Sequence, residues 1–275
     1  CGGGAVLNGC DNACNSTAVV DECGNCGGSG PFLECPDGSM ECNLTNCQNP
    51  SINQPSFEII HDNIGSEGLS VSQTSDGGYI VAGEDSAPIL YKIDYAGNIT
   101  WTETYSSISS YGYPKSVKQT SDGGYIISGY YNPLGDIDGI HDYVIWLAKT
   151  DSDGQITFSK TYQTDTNDPS GDGNNQGGGY SYSVDITSDG GYILFCYSSI
   201  NSNSGDAEAL LIKTDSDGNE QWRKNHILGV SENTQVTGGY AASDGGYVFA
   251  GNVGDGGYIV KTDSNGDIEW SQTGY

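Results

Sequence analysis

The ten residues TSDGGYIVAG at 74–83 return, with small changes, as TSDGGYIISG at 120–129, TSDGGYILFC at 187–196 and ASDGGYVFAG at 242–251. Asp-Gly-Gly is a turn former: the carboxylate can bond its own backbone, and the glycines supply the positive φ that tight hairpins require. The run that follows is dense in β-branched and aromatic side chains and reads as a strand buried on both faces. Each copy is therefore a hairpin turn feeding an apolar strand.

Laying the copies over one another extends the pattern in both directions. A short alternating stretch precedes each turn (LSVSQT, KSVKQT, YSVDIT and, less regularly, VTGGYAA). After the apolar strand come a variable loop, a third strand ending in YKID, AKTD, IKTD or VKTD, and a second tight turn with Gly97, Gly154, Gly218 or Gly266. A fourth strand carries an aromatic residue at a fixed place: Trp101, Phe158, Trp222 or Trp270. These aromatic positions read as blade core rather than as a platform for sugars.

Four antiparallel strands per repeat, with too little core for any repeat to stand alone, predict an all-β, β-propeller-like array of four-stranded antiparallel blades. A stacked β-solenoid is the rival architecture; unequal repeat lengths and four strands per unit count against it. The pattern SDGGYIVAG…IKTDSDGN…W resembles the extracellular bacterial and archaeal propeller repeats of the SBBP type, over residues 57–275. That resemblance implies blades of large cell-surface proteins and brings no catalytic motif. Residues 57–62, FEIIHD, stand where a fourth strand of a preceding blade would lie, so the tally is four repeats plus one extra strand. An unpaired apolar edge invites association, and the strand is expected to complete a blade of a neighbouring chain in a filament.

The first and third connections of an antiparallel blade share one end, so the variable second and fourth connections gather at the other. Three of these are long: 130–143, 163–180 and 198–209. Long loops on a rigid scaffold commonly carry function. Asp165, Asn167, Asp168, Asp172 and Asn174 lie close together with glycine between them, oxygen donors of the type calcium prefers. Asp136, Asp138 and Asp142 form a weaker second set. Solvated acidic turns are the alternative, since no bidentate Glu closes the motif.

Cysteine usage marks a second module. Cys1, Cys10, Cys14, Cys23, Cys26, Cys35, Cys42 and Cys47 all fall in residues 1–47, a stretch without Lys or Arg and poor in large apolar groups. Such a segment folds only with staples, and an even cysteine count predicts up to four disulfides among roughly 105 possible pairings. CGNC at 23–26 admits a zinc site, but no His is interleaved, and Gly27 stands where c-type haem attachment needs His. Asn15 and Asn43 begin sequons after equivalent cysteines, and Asn98 begins a third, which points to a secreted, glycosylated surface. NSTAVVDECGNCGGSG resembles the VVDECGxCGG cysteine repeats of very large secreted or surface-attached microbial proteins. In such a tandem, Cys1 is the tail of a preceding copy; a lipidated Cys1 is the competing reading. QNPSINQPS at 48–56 is the linker, which gives a module at 1–47 and a propeller domain at 57–275.

Thirty-six acidic against nine basic side chains leave a formal net charge of −27. Nucleic acid and anionic membrane surfaces are repelled by such a chain, and cations are its natural partners. No apolar run approaches the ~20 residues of a membrane helix, and the chain reads as mature secreted material. His61, His141 and His226 belong to no catalytic motif, and neither haem nor nucleotide is expected. Cys196 aligns with Gly83, Gly129 and Gly251 at the end of an apolar strand and is expected to be a buried free thiol. The function these features predict is a non-enzymatic, calcium-stabilised, glycosylated extracellular building block that associates with itself or with other surface-protein segments. A secreted propeller enzyme or lectin acting on polysaccharide is the alternative, signalled by a pocket with convergent His, Arg or Tyr.

Overall fold

The computed structural model describes residues 33–34, 40–41, 67–108, 112–133, 143–164, 178–201, 206–228 and 234–274. The chain divides into two units, 1–60 and 61–275. In the first, β1 (Leu33–Glu34) pairs antiparallel with β2 (Met40–Glu41), Leu33 opposite Glu41. The eight N-terminal cysteines, Asn15 and Asn43 lie outside the described residues, as does the 57–62 segment.

The second unit is a β-propeller-like array of four four-stranded antiparallel sheets, each built from consecutive strands. Blade one is β3 (Glu67–Gln73), β4 (Tyr79–Glu84), β5 (Pro88–Ile93) and β6 (Ile99–Thr104). Blade two is β7 (Gly112–Gln119), β8 (Tyr125–Tyr131), β9 (Val144–Thr150) and β10 (Ile156–Tyr162). Blade three is β11 (Gly179–Ile186), β12 (Tyr192–Asn201), β13 (Asp206–Thr214) and β14 (Glu220–His226). Blade four is β15 (Thr234–Ala241), β16 (Tyr247–Val253), β17 (Gly256–Thr262) and β18 (Ile268–Gly274). Every blade draws all four strands from its own repeat. The expected long loop at 198–209 is largely strand instead, because β12 and β13 stay paired out to Asn201 and Asp206.

The repeated turn owes its form to a lysine that the sequence pattern places one strand away. In blade two the Lys149 ammonium donates to Asp122 Oδ2 at 2.8 Å, Asp122 Oδ1 at 3.1 Å and the Thr150 carbonyl at 2.7 Å. Lys92–Asp76, Lys213–Asp189 and Lys261–Asp244 repeat the ion pair at 2.7, 2.8 and 2.9 Å. All four lysines are buried while their carboxylate partners stay open to water. In each turn the same Asp Oδ1 also accepts the N–H of the second glycine, and in the first three turns it accepts the Thr hydroxyl as well.

The two glycines of each turn have separate causes. Gly77, Gly123, Gly190 and Gly245 take φ of 81°, 84°, 82° and 88°, as the turn chemistry predicts. Gly78, Gly124, Gly191 and Gly246 do not; a Cβ at any of them would run into the carbonyl oxygen at the end of the third strand and the lysine Nζ. The expectation that both glycines serve positive φ is thus corrected for the second, where the constraint is the close approach of the third-strand carbonyl oxygen, with the ammonium just beyond it.

No blade has a core of its own. Apolar side chains form three layers between successive blades: Ile80 and Leu90 against Ile127 and Trp146, Ile126 and Leu147 against Leu194, and Ile193 and Leu211 against Phe249 and Val260. Cys196 lies in the second layer as a fully buried free thiol. The innermost strands are bonded blade to blade. Val117 N–H donates to Ser70 Oγ and Val184 N–H to Ser116 Oγ, both at 3.2 Å. Those serines follow a bulge that recurs in the first strand pair of each blade.

Two outcomes follow. Gly190→Ala should cost about 1–2 kcal/mol, the strain of a left-handed alanine in open space. Gly191→Ala should cost more than about 3 kcal/mol, beyond ordinary overpacking; urea denaturation of the two variants measures the order. The second concerns acid. Hydrogen bonds from Lys92 and Thr74 hold Asp76 at about 2. Partial desolvation pushes Asp122 and Asp189 upward, but bonds from their lysine, threonine and glycine partners outweigh it and leave both at about 2. A carboxylate depressed in the fold contributes stability that is complete above its unfolded pKa and lost as pH falls through its folded one. The melting temperature should therefore drop between about pH 4 and pH 2, and Asp122→Asn with Asp189→Asn should flatten that drop.

Candidate functional site

Of the residues singled out from sequence, Asp165, Asn167, Asp168, Asp172, Asn174, Asp136, Asp138 and Asp142 lie outside the described residues, as do His61 and His141. Among the described residues no group of three or more His, Cys, Asp or Glu is arranged to hold a metal ion. No described helix is long and apolar enough to cross a membrane. Asn98 is described: it is exposed in the second turn of blade one, its Nδ2 donating to Asp94 Oδ2 at 2.9 Å.

At the end of blades two and three away from the SDGG turns, six half-buried tyrosines come together from β7, β8, β11, β12 and the residue before β9. Tyr130 is the hub, its ring centroid 5.2 Å from Tyr113, 5.3 Å from Tyr143 and 4.9 Å from Tyr180. Tyr180 stacks on Tyr197 at 4.6 Å, and Tyr182 on Tyr197 at 5.7 Å. The Lys115 ammonium sits 5.6 and 5.5 Å from the centroids of Tyr113 and Tyr130, within cation–π range. Burial, reinforced by the neighbouring phenols, pushes Tyr130, Tyr180 and Tyr197 well above the ordinary tyrosine range. These hydroxyls stay protonated at neutral pH. The cluster escaped the sequence reading; its signal was tyrosines flanking each variable connection, in YGY, GYY, DYV, GYSY and CYS.

At the opposite end, an open groove of about 690 Å³ runs between blades two and three. Asp122 and Lys149, the locked turn pair, lie on its wall, with Phe158 and Tyr192 beside them. This groove belongs to the contact between blades. In that contact the fourth-strand aromatic of one blade seats on the second-turn glycine of the next: ring atoms of Trp101, Phe158 and Trp222 come within 2.6–3.0 Å of where a Cβ of Gly154, Gly218 or Gly266 would stand. The same aromatic meets the SDGGY tyrosine at 5.8 Å for Trp101–Tyr125, 6.3 Å for Phe158–Tyr192 and 5.8 Å for Trp222–Tyr247. Tyr105 Oη donates to Gly154 O at 2.9 Å and Tyr162 Oη to Gly218 O at 2.7 Å.

Among the described residues, blades one and four each expose one half of this contact. Tyr79 is 40 % exposed where Tyr125, Tyr192 and Tyr247 are 2–3 %, and Val71 is 65 % exposed where Val117 and Val184 are at most 2 %. On blade four, Ile259 is 39 % exposed where Leu90, Leu147 and Leu211 are at most 1 %, and Trp270 is 45 % exposed. Every residue of β18 is exposed. The expectation of an apolar second strand buried on both faces thus holds for β8 and β12; β4 and β16 each leave one face open, on opposite phases of the strand.

His226 occupies the position of Tyr105 and Tyr162 in blade three, buried against Phe249 with its Nε2 unpartnered. Burial and the nearby Lys224 lower its pKa.

No protein family's sequence model matches the chain, and no curated protein does. Solved structures are similar to it at low identity. A protein of unknown function from Bacteroides caccae is 13% identical over 76% of this chain and 82% of its own, with a TM-score of 0.33. BamB from Moraxella catarrhalis is 16% identical over 76% of this chain, which spans only 51% of BamB, with a TM-score of 0.40. A prolyl endopeptidase is 13% identical over 76% of this chain and 28% of its own, with a TM-score of 0.41.

His226→Tyr should restore the hydroxyl-to-carbonyl bond, here toward Gly266, and raise stability by about 1 kcal/mol. A histidine depressed by burial weakens the fold as pH falls through its unfolded pKa. The variant should therefore also lose the stability decline below about pH 6.5, measured by thermal melts across pH 5–8.

Proposed function

We propose that this chain is a non-enzymatic structural or adhesive building block of an extracellular assembly, part of a long surface protein or a filament subunit. The observation that carries this reading is the pair of end faces: the blade contact is modular, and both of its halves are left open. The acidic, sequon-bearing, cysteine-rich composition supports an extracellular address, with disulfides in 1–47 and glycans at Asn15, Asn43 and Asn98. Calcium at Asp165, Asn167, Asp168, Asp172 and Asn174, with Asp136, Asp138 and Asp142 as a lesser set, would neutralise crowded carboxylates on the long connections.

The tyrosine cluster favours a second reading, a lectin-like face for neutral glycans, because phenol rings and hydroxyls suit sugar C–H faces and hydroxyl groups. Imaging of the native material separates the two. The structural reading expects the chain inside a repeating or tethered assembly; isolated monomers that bind neutral oligosaccharides, with Tyr130→Ala abolishing the binding, would replace it. The calcium part has its own measurement: a chelator should lower the melting temperature of the full chain, and an unchanged melt at low ionic strength removes the ion from the account.

A further inference from the structure

We propose that the exposed face of blade four docks on the exposed face of blade one of a second copy, so that copies join head to tail through a fourth repeat of the internal blade contact. The inference rests on the building-block reading and names its partner and register. The partner follows from the repeat itself. Blade four presents what blades one to three present to their successors, an aromatic on the fourth strand and an apolar residue on the third. Blade one presents what blades two to four present to their predecessors, a tyrosine after the first turn and a glycine in the second. The two faces belong to one chain, and each is the partner that the other's counterparts already have.

The register can be read residue by residue. Trp270 takes the place of Trp101, Phe158 and Trp222 and seats on Gly97, whose φ of 89° matches Gly154, Gly218 and Gly266. Gly97 is half-exposed, whereas those three glycines are buried. The same ring then meets Tyr79, the counterpart of Tyr125.

Polar pairs at the edge of each internal contact fix the alignment. The residue two after the aromatic bonds the residue after the glycine: Gln155 Nε2 donates to Glu103 at 2.9 Å, Lys160 to Asn219 Oδ1 at 3.2 Å, and Lys224 to Asp267 at 2.5 Å. At the open ends these positions are Gln272 and Asn98, two amides with complementary donors and acceptors. Asn219 shows how Asn98 would serve: its Nδ2 donates to Asp215 Oδ2 at 2.9 Å while its Oδ1 accepts from Lys160. Asn98 makes the same Nδ2 bond to Asp94, and its Oδ1 is the acceptor for Gln272 Nε2.

The contact is heterologous, so joined copies close into a ring where the rotation between them closes and extend where it does not. A glycan on Asn98 would stand at the rim of this contact and block it.

The test uses the full chain made in a host without N-glycosylation, with Trp270→Asp and Tyr79→Asp as variants that each block one face. Light scattering of the wild type should show mass rising with concentration above the 28.9 kDa of one chain. Each variant alone should weaken association by at least about tenfold, as loss of a central aromatic anchor does. An equimolar mixture of the two should form a capped heterodimer and nothing larger, because each supplies the face that the other lacks. That heterodimer also shows both variants to be folded. Polymers that persist in both variants, or variants that fold by circular dichroism but do not pair, overturn this contact and leave the building-block reading standing. A wild type that stays monomeric overturns it too, whether its own ends close or another polypeptide covers them. The broader reading falls only if the native material is monomeric as well.

Discussion

Four buried ammonium groups hold this fold in register. Each needs acceptors in a space sealed by strands and finds them in the turn aspartate and the carbonyl that ends the third strand, with Gln221 added for Lys213 and Glu269 for Lys261. The first hairpin is thereby tied to the third strand, the neighbour of the second strand it joins. A glycine without room for a Cβ, an aspartate aimed inward and a lysine in an otherwise apolar strand are parts of one constraint. Eight of its groups are charged, in a chain with only nine basic side chains, and four of those nine are spent here. Removing an aspartate would strand an ammonium away from water, which costs far more than the loss of an exposed pair.

With the turns locked, the rest of each repeat is free to make contacts outward. The apolar side chains of one blade are too few to enclose a core, so they are buried only against the next blade. The same economy explains the fourth-strand aromatics. Each covers a neighbouring turn at a glycine, where a side chain would hold the ring off, and lies against the tyrosine that follows the neighbouring first turn. A contact built this way has a direction, because the face that supplies the ring differs from the face that receives it. A directional contact can repeat from blade to blade, and it leaves unlike faces exposed on blades one and four.

The opposite rim follows other rules. There the connections vary in length and composition, and the described strands that bound them contribute tyrosines that pack on one another around Tyr130 and Lys115. The regular turn end carries the repeated contacts of the array, while the tyrosine end carries its variation. Strong negative charge over the whole chain keeps such acidic surfaces apart unless complementary faces or cations bring them together.

Local chemistry made the turns, the strand count and the blade boundaries legible from sequence alone, because a hairpin is decided within about ten residues by aspartate and glycine. The burial of Cys196 was legible for the same reason: its neighbours in the apolar strand are its neighbours in the sequence. The lysine lock was only half legible. The Lys-Thr-Asp ending was visible in the repeat, but its reach to an aspartate 16 to 27 residues earlier appears only when the sheet is folded. Uncovered faces could not be read at all, since Tyr79 and Trp270 sit in repeats written like those of the buried Tyr125 and the packed Trp101. Whether such a residue meets water or another blade depends on what stands beside its sheet, about 50 residues away along the chain, and only the tertiary structure decides that.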